Sequence, residues 1–520
     1  MRPLVRVELH ARLRLSLRFN SRPGTPTLLT FADLDQYLPS VPKTTLREVI
    51  RKMNPVSRRS FFGLGLGAAA FAGASPIPVL TGANAAPVPA SSSTTQFLES
   101  IEDAVAFQTC MMDAYAAGNT VRLIQSYADQ SGLLSTAFTY DNAVSIHAYL
   151  LHGTSDALAR AEVLGQGLIF AQANNFPFND GRFAQAYFVN QASSKGPYIT
   201  PAAFPFYFYT SAVGDQAWAG MALAQLYHRT HKQAYLAAAL NVANWIVTNT
   251  YNALGPGGYS FGTNINQYNQ SVPSTNGKST EHNIDTYAFF TMLDELTHHG
   301  SATNGMSWKN LSQHALSFVA AMYNATDGYF YTGTLGDQIS INYYPVPEDC
   351  QTWSYLALLD NTYRRTVDWA ISNLQATDTS TSRDSNVSGN ESFTGMVFDT
   401  ASINTPTYDP NAVWLEGTSH AIAALIARIL AGGGNFHDRA NDFNAAARLV
   451  STCQKAQQEL GTGQTVNGKP IPTGQGLVAA TSVMDTGFGY TYGPSKHIGA
   501  TGWYLIAVRA GNPFQLGYES

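Results

Sequence analysis

Five carboxylates recur at similar intervals along the chain, each at or near the start of an apolar segment with helical spacing. They are Asp141, Asp215, Asp285, Asp349 and Glu416, and they follow one another about 70 residues apart. This period is longer than that of the common solenoid repeats, but it accommodates two helices of about four to five turns and two loops. The 520 residues therefore predict one large domain of six helical hairpins.

Apolar residues recur at helical spacing in about eleven segments, namely 97–117, 141–152, 155–173, 214–230, 233–250, 284–298, 308–324, 350–371, 414–430, 437–459 and 498–510. One helix of a predicted pair is apolar on every side, as in residues 218–224, and its partner carries polar residues on one face, as in 308–324. Helices that are apolar all round lie inside a fold, whereas amphipathic helices lie outside. The pattern predicts an inner and an outer ring of helices, with few and short strands.

The inner helices of such a ring run parallel, so their N-termini and the five carboxylates are expected at one mouth of the barrel. The long segments that precede these helices are rich in aromatic and small polar residues; they are 174–213, 254–283, 325–349, 373–413 and 460–497. Loops of this length in a compact domain commonly carry function. We therefore expect a cleft at this mouth.

Residues 53–86 have the pattern of an export signal. Ser57-Arg58-Arg59-Ser60-Phe61-Phe62 precedes a weakly apolar Gly/Ala-rich stretch and an alanine-rich site at 83–86, which is typical of a twin-arginine signal peptide. We assign 53–86 to this signal, 87–95 to a flexible linker, and 1–52 to a mis-called start or a basic extension. The signal predicts passage through the twin-arginine translocase to the periplasm or the exterior, without a stable membrane anchor.

Charge restricts the class of partner. Twelve of the 30 Lys and Arg residues lie in the first 60 positions, but only four of the 35 Asp and Glu residues do, so the exported part is acidic. Nucleic acid requires clustered cations and is excluded on this ground, and a neutral or weakly charged substrate fits better than a polyanion.

Cysteine usage and motifs restrict the chemistry. Cys110, Cys350 and Cys453 are far apart and lack the spacing of a zinc site, so mostly buried, inert thiols are expected. No nucleotide-binding, esterase or metalloprotease motif is present. We therefore expect neither a metal nor a cofactor.

Three carboxylates, Glu281, Asp349 and Glu416, have neighbouring residues that a helix cap does not require. The cluster Ser279-Thr280-Glu281-His282-Asn283-Ile284-Asp285 is the densest polar entry to an apolar helix. Helix capping accounts for Ser279 or Thr280, and the helix dipole accounts for a nearby acid. Neither requires Glu281 with His282 beside it, which favours a functional role for this pair. Glu416 is a poor cap, and it lies between Trp414 and a glycine. We predict Glu281, Asp349 and Glu416 as catalytic residues, with capping as the alternative for Asp349 and Asp285.

Tryptophans beside the acids suggest a carbohydrate substrate. Core packing is the usual role of tryptophan, but a flat ring beside carboxylates also binds the apolar face of a pyranose. We interpret Asp141 and Asp215 as helix caps or as hydrogen-bond acceptors for substrate rather than as catalytic residues. The predicted substrate-binding residues are Asp141, Asp215, Trp218, His282, Asp285, Trp353, Trp414 and His497.

Glycosidic cleavage requires a protonated carboxylic acid at the leaving oxygen and a carboxylate that activates water or attacks the sugar. Nearby acids and aromatic burial raise the pKa of a Glu, so Glu281 or Glu416 is the expected acid and Asp349 the expected base.

The motifs resemble those of the six-hairpin (α/α)6-toroid glycosidase superfamily, and more narrowly those of exported bacterial proteins with a twin-arginine signal. The residues that carry the resemblance are Tyr140-Asp141-Asn142-Ala143, the cluster 279–285, Glu348-Asp349-Cys350-Gln351-Thr352-Trp353, Trp414-Leu415-Glu416-Gly417-Thr418, Ala500-Thr501-Gly502-Trp503-Tyr504 and Asn512-Pro513-Phe514. The resemblance implies an all-α (α/α)6 toroid over residues 96–516 and activity on a glycan. The superfamily includes hydrolases, polysaccharide lyases and sugar epimerases.

Three hypotheses follow. The first is a secreted, monomeric, inverting glycoside hydrolase that acts on an oligo- or polysaccharide. The second is a polysaccharide lyase, in which His282 or His497 with Tyr492 removes a proton beside a uronate carboxylate, and Lys278 and Lys496 are the nearby cations. The third is a toroid that binds a glycan without cleaving it.

Overall fold

The computed structural model describes residues 90–190, 196–208, 210–266, 268–432 and 436–518. The predicted signal peptide and the extension before it lie outside these residues. Part of the predicted linker, residues 90–95, belongs to the first helix of the structure. The linker expectation is therefore corrected for these positions.

The described residues form the helices α1 (Ala90–Met112), α2 (Thr139–His152), α3 (Ser155–Ala173), α4 (Val213–Thr230), α5 (Gln233–Thr250), α6 (Thr280–Leu296), α7 (Trp308–Ala321), α8 (Asp349–Leu358), α9 (Arg364–Asn373), α10 (Thr400–Asn404), α11 (Leu415–Ala431), α12 (Phe436–Glu459) and α13 (Ile498–Val508). Short 3₁₀ turns occupy Asp129–Ser131 and Asn361–Tyr363. None of the helices in the described ranges is long and apolar enough to cross a membrane.

One predicted helix is two helices in the structure. The segment 350–371 divides because Leu359 adopts a left-handed conformation, with φ of 48°, and ends α8. The side chain of Asp360 then accepts a hydrogen bond from the backbone N–H of Thr362 and starts the next turn. The chain reverses here, so α8 lies in the inner ring and α9 in the outer ring.

The inner helices α2, α4, α6, α8, α11 and α13 form a closed ring, in which each helix packs on the next and α13 packs on α2. The outer helices α3, α5, α7, α9 and α12 each pack on the inner helix that precedes them, and α1 packs on α13. The two ends of the described chain therefore build the sixth hairpin together. The expected all-α (α/α)6 toroid is confirmed.

Small residues let the inner helices approach closely. Residues 217–224 of α4 are all buried. A Cβ atom on Gly220 would lie 2.2 Å from the ring of Phe289 in α6, so only glycine fits between these two helices. Packing at this density explains why the inner helices are apolar on every side.

The strands are short, antiparallel and confined to the loops. They are β1 (Thr136–Phe138), β2 (Ala186–Phe188), β3 (Thr200–Pro201), β4 (Ser211–Ala212), β5 (Gly262–Ile265), β6 (Ser271–Pro273), β7 (Tyr323–Asn324), β8 (Tyr329–Phe330), β9 (Gly333–Thr334), β10 (Ile341–Asn342), β11 (Gln375–Thr379), β12 (Ser392–Met396), β13 (Thr465–Val466), β14 (Lys469–Pro470), β15 (Leu477–Val478), β16 (Met484–Asp485), β17 (Thr491–Tyr492) and β18 (Lys496–His497). The long loops lead from the end of an outer helix to the start of the next inner helix, so they surround one mouth of the ring.

The three cysteines are free thiols, with Cys350 and Cys453 buried and Cys110 partly buried. Burial raises the pKa of each thiol. The prediction of mostly buried, unreactive thiols is therefore confirmed.

Candidate active site

The first turns of the inner helices meet at the mouth of the ring. His497 precedes α13, and its Nε2 atom lies 3.0 Å from Oδ2 of Asp141 in α2. Its Nδ1 atom lies 3.6 Å from Oε2 of Glu416 in α11. Three predicted site residues from three helices are therefore in direct contact, as expected from parallel inner helices.

None of the five recurring carboxylates is a helix cap. The N-cap positions of these helices are held by Phe138, Ala212, Ser279, Glu348 and Trp414, and only Ser279 uses its side chain for the cap. The acids lie within the first or second turn instead, where the helix dipole favours negative charge. The capping interpretation of Asp141, Asp215, Asp285 and Asp349 is corrected accordingly.

Glu281 and Asp349 are an interacting pair with different protonation. Burial, and then the negative charge of Asp349, raises the pKa of Glu281 well above its usual range. Burial also raises the pKa of Asp349, to about 6, and the charge of His420 limits the rise. At neutral pH the pair therefore holds a proton on Glu281 and a carboxylate at Asp349. Glu281 is only partly buried, so part of its surface is open to solvent.

Two further acids, Asp215 and Asp285, interact electrostatically with Glu281. Asp285 is fully buried and makes no hydrogen bond through either carboxyl oxygen. Burial raises its pKa well above the usual range, with a further contribution from Asp349. Burial and the charge of Asp141 raise the pKa of Asp215 to about 8. Asp215 and Asp285 are therefore protonated at neutral pH and can donate a hydrogen bond.

Glu416 stays ionised although it is buried. Burial favours its neutral form, but the nearby imidazoles of His420 and His497 and the hydrogen bond from Tyr140 outweigh burial and lower its pKa. The hydroxyl of Tyr140 donates to its Oε1 atom at 2.5 Å, and Nε2 of His420 lies 3.7 Å from the same oxygen. Of the two predicted candidates for the general acid, Glu281 has a raised pKa and Glu416 a lowered one.

A second imidazole extends this group. Nδ1 of His420 lies 3.2 Å from Oε2 of Glu348, and both of these side chains are fully buried. The two carboxylates Glu348 and Glu416 together raise the pKa of His420 to about 8, and burial raises that of Glu348 to about 7. We call Asp141, His497, Glu416, His420 and Glu348 the buried relay.

Three residues of the site, Tyr140, Glu348 and His420, were not predicted from the sequence. His420 follows Glu416 by four residues, a spacing that places both on one helix face, so this pair was detectable. Tyr140 precedes Asp141 directly, and its hydroxyl also accepts a hydrogen bond from the Trp503 indole at 2.7 Å. Nothing in the sequence marks Glu348 apart from its position next to Asp349.

The three tryptophans do not offer a surface to a sugar. Trp218, Trp353 and Trp414 are exposed by only 1%, 2% and 3%, and they pack below the mouth. The rings of Trp218 and Trp353 are 5.2 Å apart, and Trp414 contacts His420 edge to face. The prediction that these residues bind substrate is corrected, because the inner ring is packed too densely for their faces to be open.

Cations are scarce at this mouth. Lys278 is buried and donates to the carbonyl groups of Leu254 and Gly257, at 2.6 and 2.7 Å. Lys496 is buried in the same way and donates to the carbonyl of Gln475 at 2.5 Å. Burial lowers the pKa of His282 to about 4, so this histidine is neutral. The two lysines that the lyase hypothesis assigns to a uronate therefore bind backbone carbonyl groups of the loops instead.

Comparison with known proteins shows a similarity of fold at low sequence identity. No family model matches the chain, and no curated protein does. Among solved structures, a family GH76 α-mannanase from Bacteroides thetaiotaomicron is 12% identical, with 79% of this chain and 95% of that chain covered and a TM-score of 0.48. A glycosidase variant in complex with glucose is 11% identical, with 79% and 97% covered and a TM-score of 0.48. D-mannose isomerase is 11% identical, with 82% and 99% covered and a TM-score of 0.53. The chain shares the fold of the last of these over almost the whole of that protein.

Proposed function

We propose that the protein is a glycoside hydrolase that cleaves a neutral glycan at the mouth of the toroid. The support for the proposal is the position of Glu281 and Asp349 in the first turns of the adjacent inner helices α6 and α8, together with pKa shifts that favour a protonated Glu281 and an ionised Asp349. A glycosidase needs this combination. The scarcity of free cations among the described residues at the mouth supports a neutral substrate.

In the proposed reaction, Glu281 donates its proton to the glycosidic oxygen as the bond from this oxygen to the anomeric carbon breaks. Asp349 accepts a proton from a water molecule, and the oxygen of that water bonds to the anomeric carbon from the opposite face. The products are two shorter sugars, one with a new reducing end of inverted configuration. Glu416 keeps its negative charge next to this centre and accepts a hydrogen bond from the hydroxyl of Tyr140.

A polysaccharide lyase is a weaker candidate. Proton removal beside a uronate requires cations that neutralise the sugar carboxylate, and both Lys278 and Lys496 bind backbone carbonyls instead. His282 is neutral and nearly buried. The acids at the mouth would also repel a uronate.

One observation favours a second candidate, a sugar isomerase. Nδ1 of His497 accepts a hydrogen bond from the backbone N–H of Ala500, and its Nε2 atom lies 3.0 Å from Oδ2 of Asp141. An imidazole with a carboxylate partner is a suitable acid and base for moving a proton between sugar carbons. One structural neighbour, D-mannose isomerase, is named for a sugar isomerisation.

A substrate panel separates these candidates. The protein is incubated with manno- and gluco-oligosaccharides, with polyuronates and with D-mannose, and reducing ends, near-ultraviolet absorption and ketose are measured. We expect new reducing ends from a neutral oligosaccharide, lost in Glu281→Gln and Asp349→Asn but retained in Asp368→Asn, which changes an exposed acid on α9. Ketose formation that depends on His497 would instead establish the isomerase.

We also propose that the protein acts as a monomer outside the cytoplasm, after export by the twin-arginine translocase. The support is the sequence at 57–62 and 83–86. Fractionation of cells that express the full chain should show the protein outside the cytoplasm, and a variant with both Arg58 and Arg59 changed to Lys should remain inside. Export that is unaffected by this change would contradict the assignment.

A further inference from the structure

Exposed aromatic rings occur on a hairpin beside the candidate active site. The strands β16 and β17 form this hairpin, and its turn carries Phe488 and Tyr490, which are exposed by 45% and 50%. Tyr344, exposed by 56%, precedes Pro345, a residue close to the same turn. We call Tyr344, Phe488 and Tyr490 the aromatic shelf. Its exposure contrasts with the burial of the tryptophans below the mouth.

The shelf is held in place from below. Phe398 packs edge to face on Phe488 with ring centres 6.1 Å apart, and on Tyr490 at 6.4 Å. Tyr490 also packs edge to face on Tyr492, which stacks on Trp414. Buried rings therefore support the exposed ones, so the shelf is a built surface and not a set of loose side chains.

The turn itself is fixed by polar contacts. The hydroxyl of Thr486 donates to the carbonyl of Tyr490 at 2.7 Å. Gly487 has a φ of 69°, and a Cβ atom there would lie 2.7 Å from Ala401 and 2.9 Å from Oδ2 of Asp399. This close approach leaves no room for a larger residue, and it ties the hairpin to the start of α10.

The shelf adjoins the proposed catalytic pair. The pKa of Tyr490 is raised by partial burial and by interaction with the carboxyl groups of Glu281 and Asp349. The pKa of Tyr344 is raised by partial burial and by Asp399, and Asp349 acts in turn on Asp399. The backbone gives a direct link, because the carbonyl of Phe398, whose ring supports the shelf, accepts a hydrogen bond at 2.9 Å from the N–H of Glu348, the residue before Asp349. The shelf therefore lies beside Asp349, and half of the surface of Tyr490 is open.

We propose that the aromatic shelf is a binding subsite for a neutral pyranose, which is the sugar next to the one held by Glu281 and Asp349. The C–H groups on one face of a pyranose match an exposed aromatic ring, whereas the ionised carboxylate of Asp349 repels an anionic sugar. The proposal rests on the function proposed above and extends it: the enzyme prefers oligosaccharides to substrates with a single sugar.

The test compares substrates of different length. Kinetics are measured on the manno- or gluco-oligosaccharide that the wild-type protein cleaves fastest, and on the 4-nitrophenyl glycoside of the same hexose. We expect Phe488→Ala and Tyr490→Ala to raise KM for the oligosaccharide by about tenfold, which corresponds to the loss of an aromatic contact worth about 1.4 kcal/mol. Activity on the 4-nitrophenyl glycoside should change by less than about twofold.

Two controls define the origin of the effect. Tyr490→Phe keeps the ring and should keep the wild-type KM. Tyr251→Ala removes an exposed ring that stacks on His314 of the outer helix α7, and it should have no effect on either substrate. Equal KM values in the wild type, Phe488→Ala and Tyr490→Ala would overturn the subsite.

The outcomes also separate this proposal from the proposed function. If Glu281→Gln abolishes cleavage but Phe488→Ala leaves KM unchanged, the hydrolase stands and the subsite falls. If the wild type cleaves no substrate, binding of the same oligosaccharides is measured by calorimetric titration. Binding by the wild type that is lost in Phe488→Ala would support the subsite and refute the hydrolase. Absence of both cleavage and binding overturns both.

Discussion

Replacing Glu348 with glutamine removes one negative charge from the buried relay with little change in shape. Glu348 is fully buried, and its Oε2 atom lies 3.2 Å from Nδ1 of His420. Glutamine can still accept a hydrogen bond from the imidazole, so the main loss is the charge that stabilises protonated His420. The consequence is a change in how the stability of the protein depends on pH.

The magnitude follows from the shifts of the two groups. The folded protein raises the pKa of Glu348 from 4.5 to about 7 and that of His420 from 6.5 to about 8. Because both are raised, their stabilising contribution is complete below the unfolded values and is lost as pH rises through 7 and 8. Between pH 6.5 and 9, the two groups together should lower the free energy of unfolding by about 2 to 3 kcal/mol.

The assay is urea denaturation of the wild type and Glu348→Gln at pH 6.5 and pH 9. We expect the drop in unfolding free energy to shrink to about 1 kcal/mol or less in the variant, because the titrating carboxyl group is gone and the pKa of His420 falls. His147→Gln is the matched control: burial lowers the pKa of His147 to about 3, so this inner-ring histidine is neutral across the range. An equal drop in Glu348→Gln and wild type would refute the electrostatic interpretation of the relay.

Two further predictions concern stability. Gly220→Ala should lower the free energy of unfolding by about 1 to 3 kcal/mol, because the new methyl group meets the Phe289 ring. Gly493→Ala is the control and should have little effect, because a methyl group there meets no atom within 4 Å. Denaturant titration measures both variants, and equal effects would contradict the close approach of α4 and α6. Lys278→Met should lower the thermal midpoint at pH 7, because the buried carbonyl group of Gly257 loses its donor at a cost of about 1 to 3 kcal/mol and the partly buried carbonyl of Leu254 also loses its donor. An unchanged midpoint would show that this lysine does not stabilise the loop.

The fold was predictable because its information is local and repeated. Alternation between helices that are apolar all round and amphipathic helices fixes the two rings, and the loop lengths place the long loops at one mouth. The division of 350–371 was missed, since Leu359 takes up a left-handed conformation that is unusual for leucine and has no sequence signal.

The candidate site was predictable only in part. The acids were found because they recur, but their roles depend on contacts between residues far apart in the chain, such as Tyr140 with Glu416. The balance of burial and neighbouring charge separates Glu281 from Glu416, and sequence contains neither quantity. The tryptophans were assigned to the substrate because residue type does not show whether a ring face is open. The exposed rings of the aromatic shelf lie on loops with no helical pattern.

The most direct test of the central claim is the activity of Glu281→Gln on two substrates with different leaving groups. One is the best natural oligosaccharide, and the other is the glycosyl fluoride of the same hexose, whose leaving group needs no proton from an acid. If Glu281 protonates the glycosidic oxygen, kcat on the oligosaccharide should fall by about 10² to 10⁴ while that on the fluoride is nearly unchanged. Loss of both activities to the same extent, or of neither, would contradict the assignment of Glu281 as the general acid.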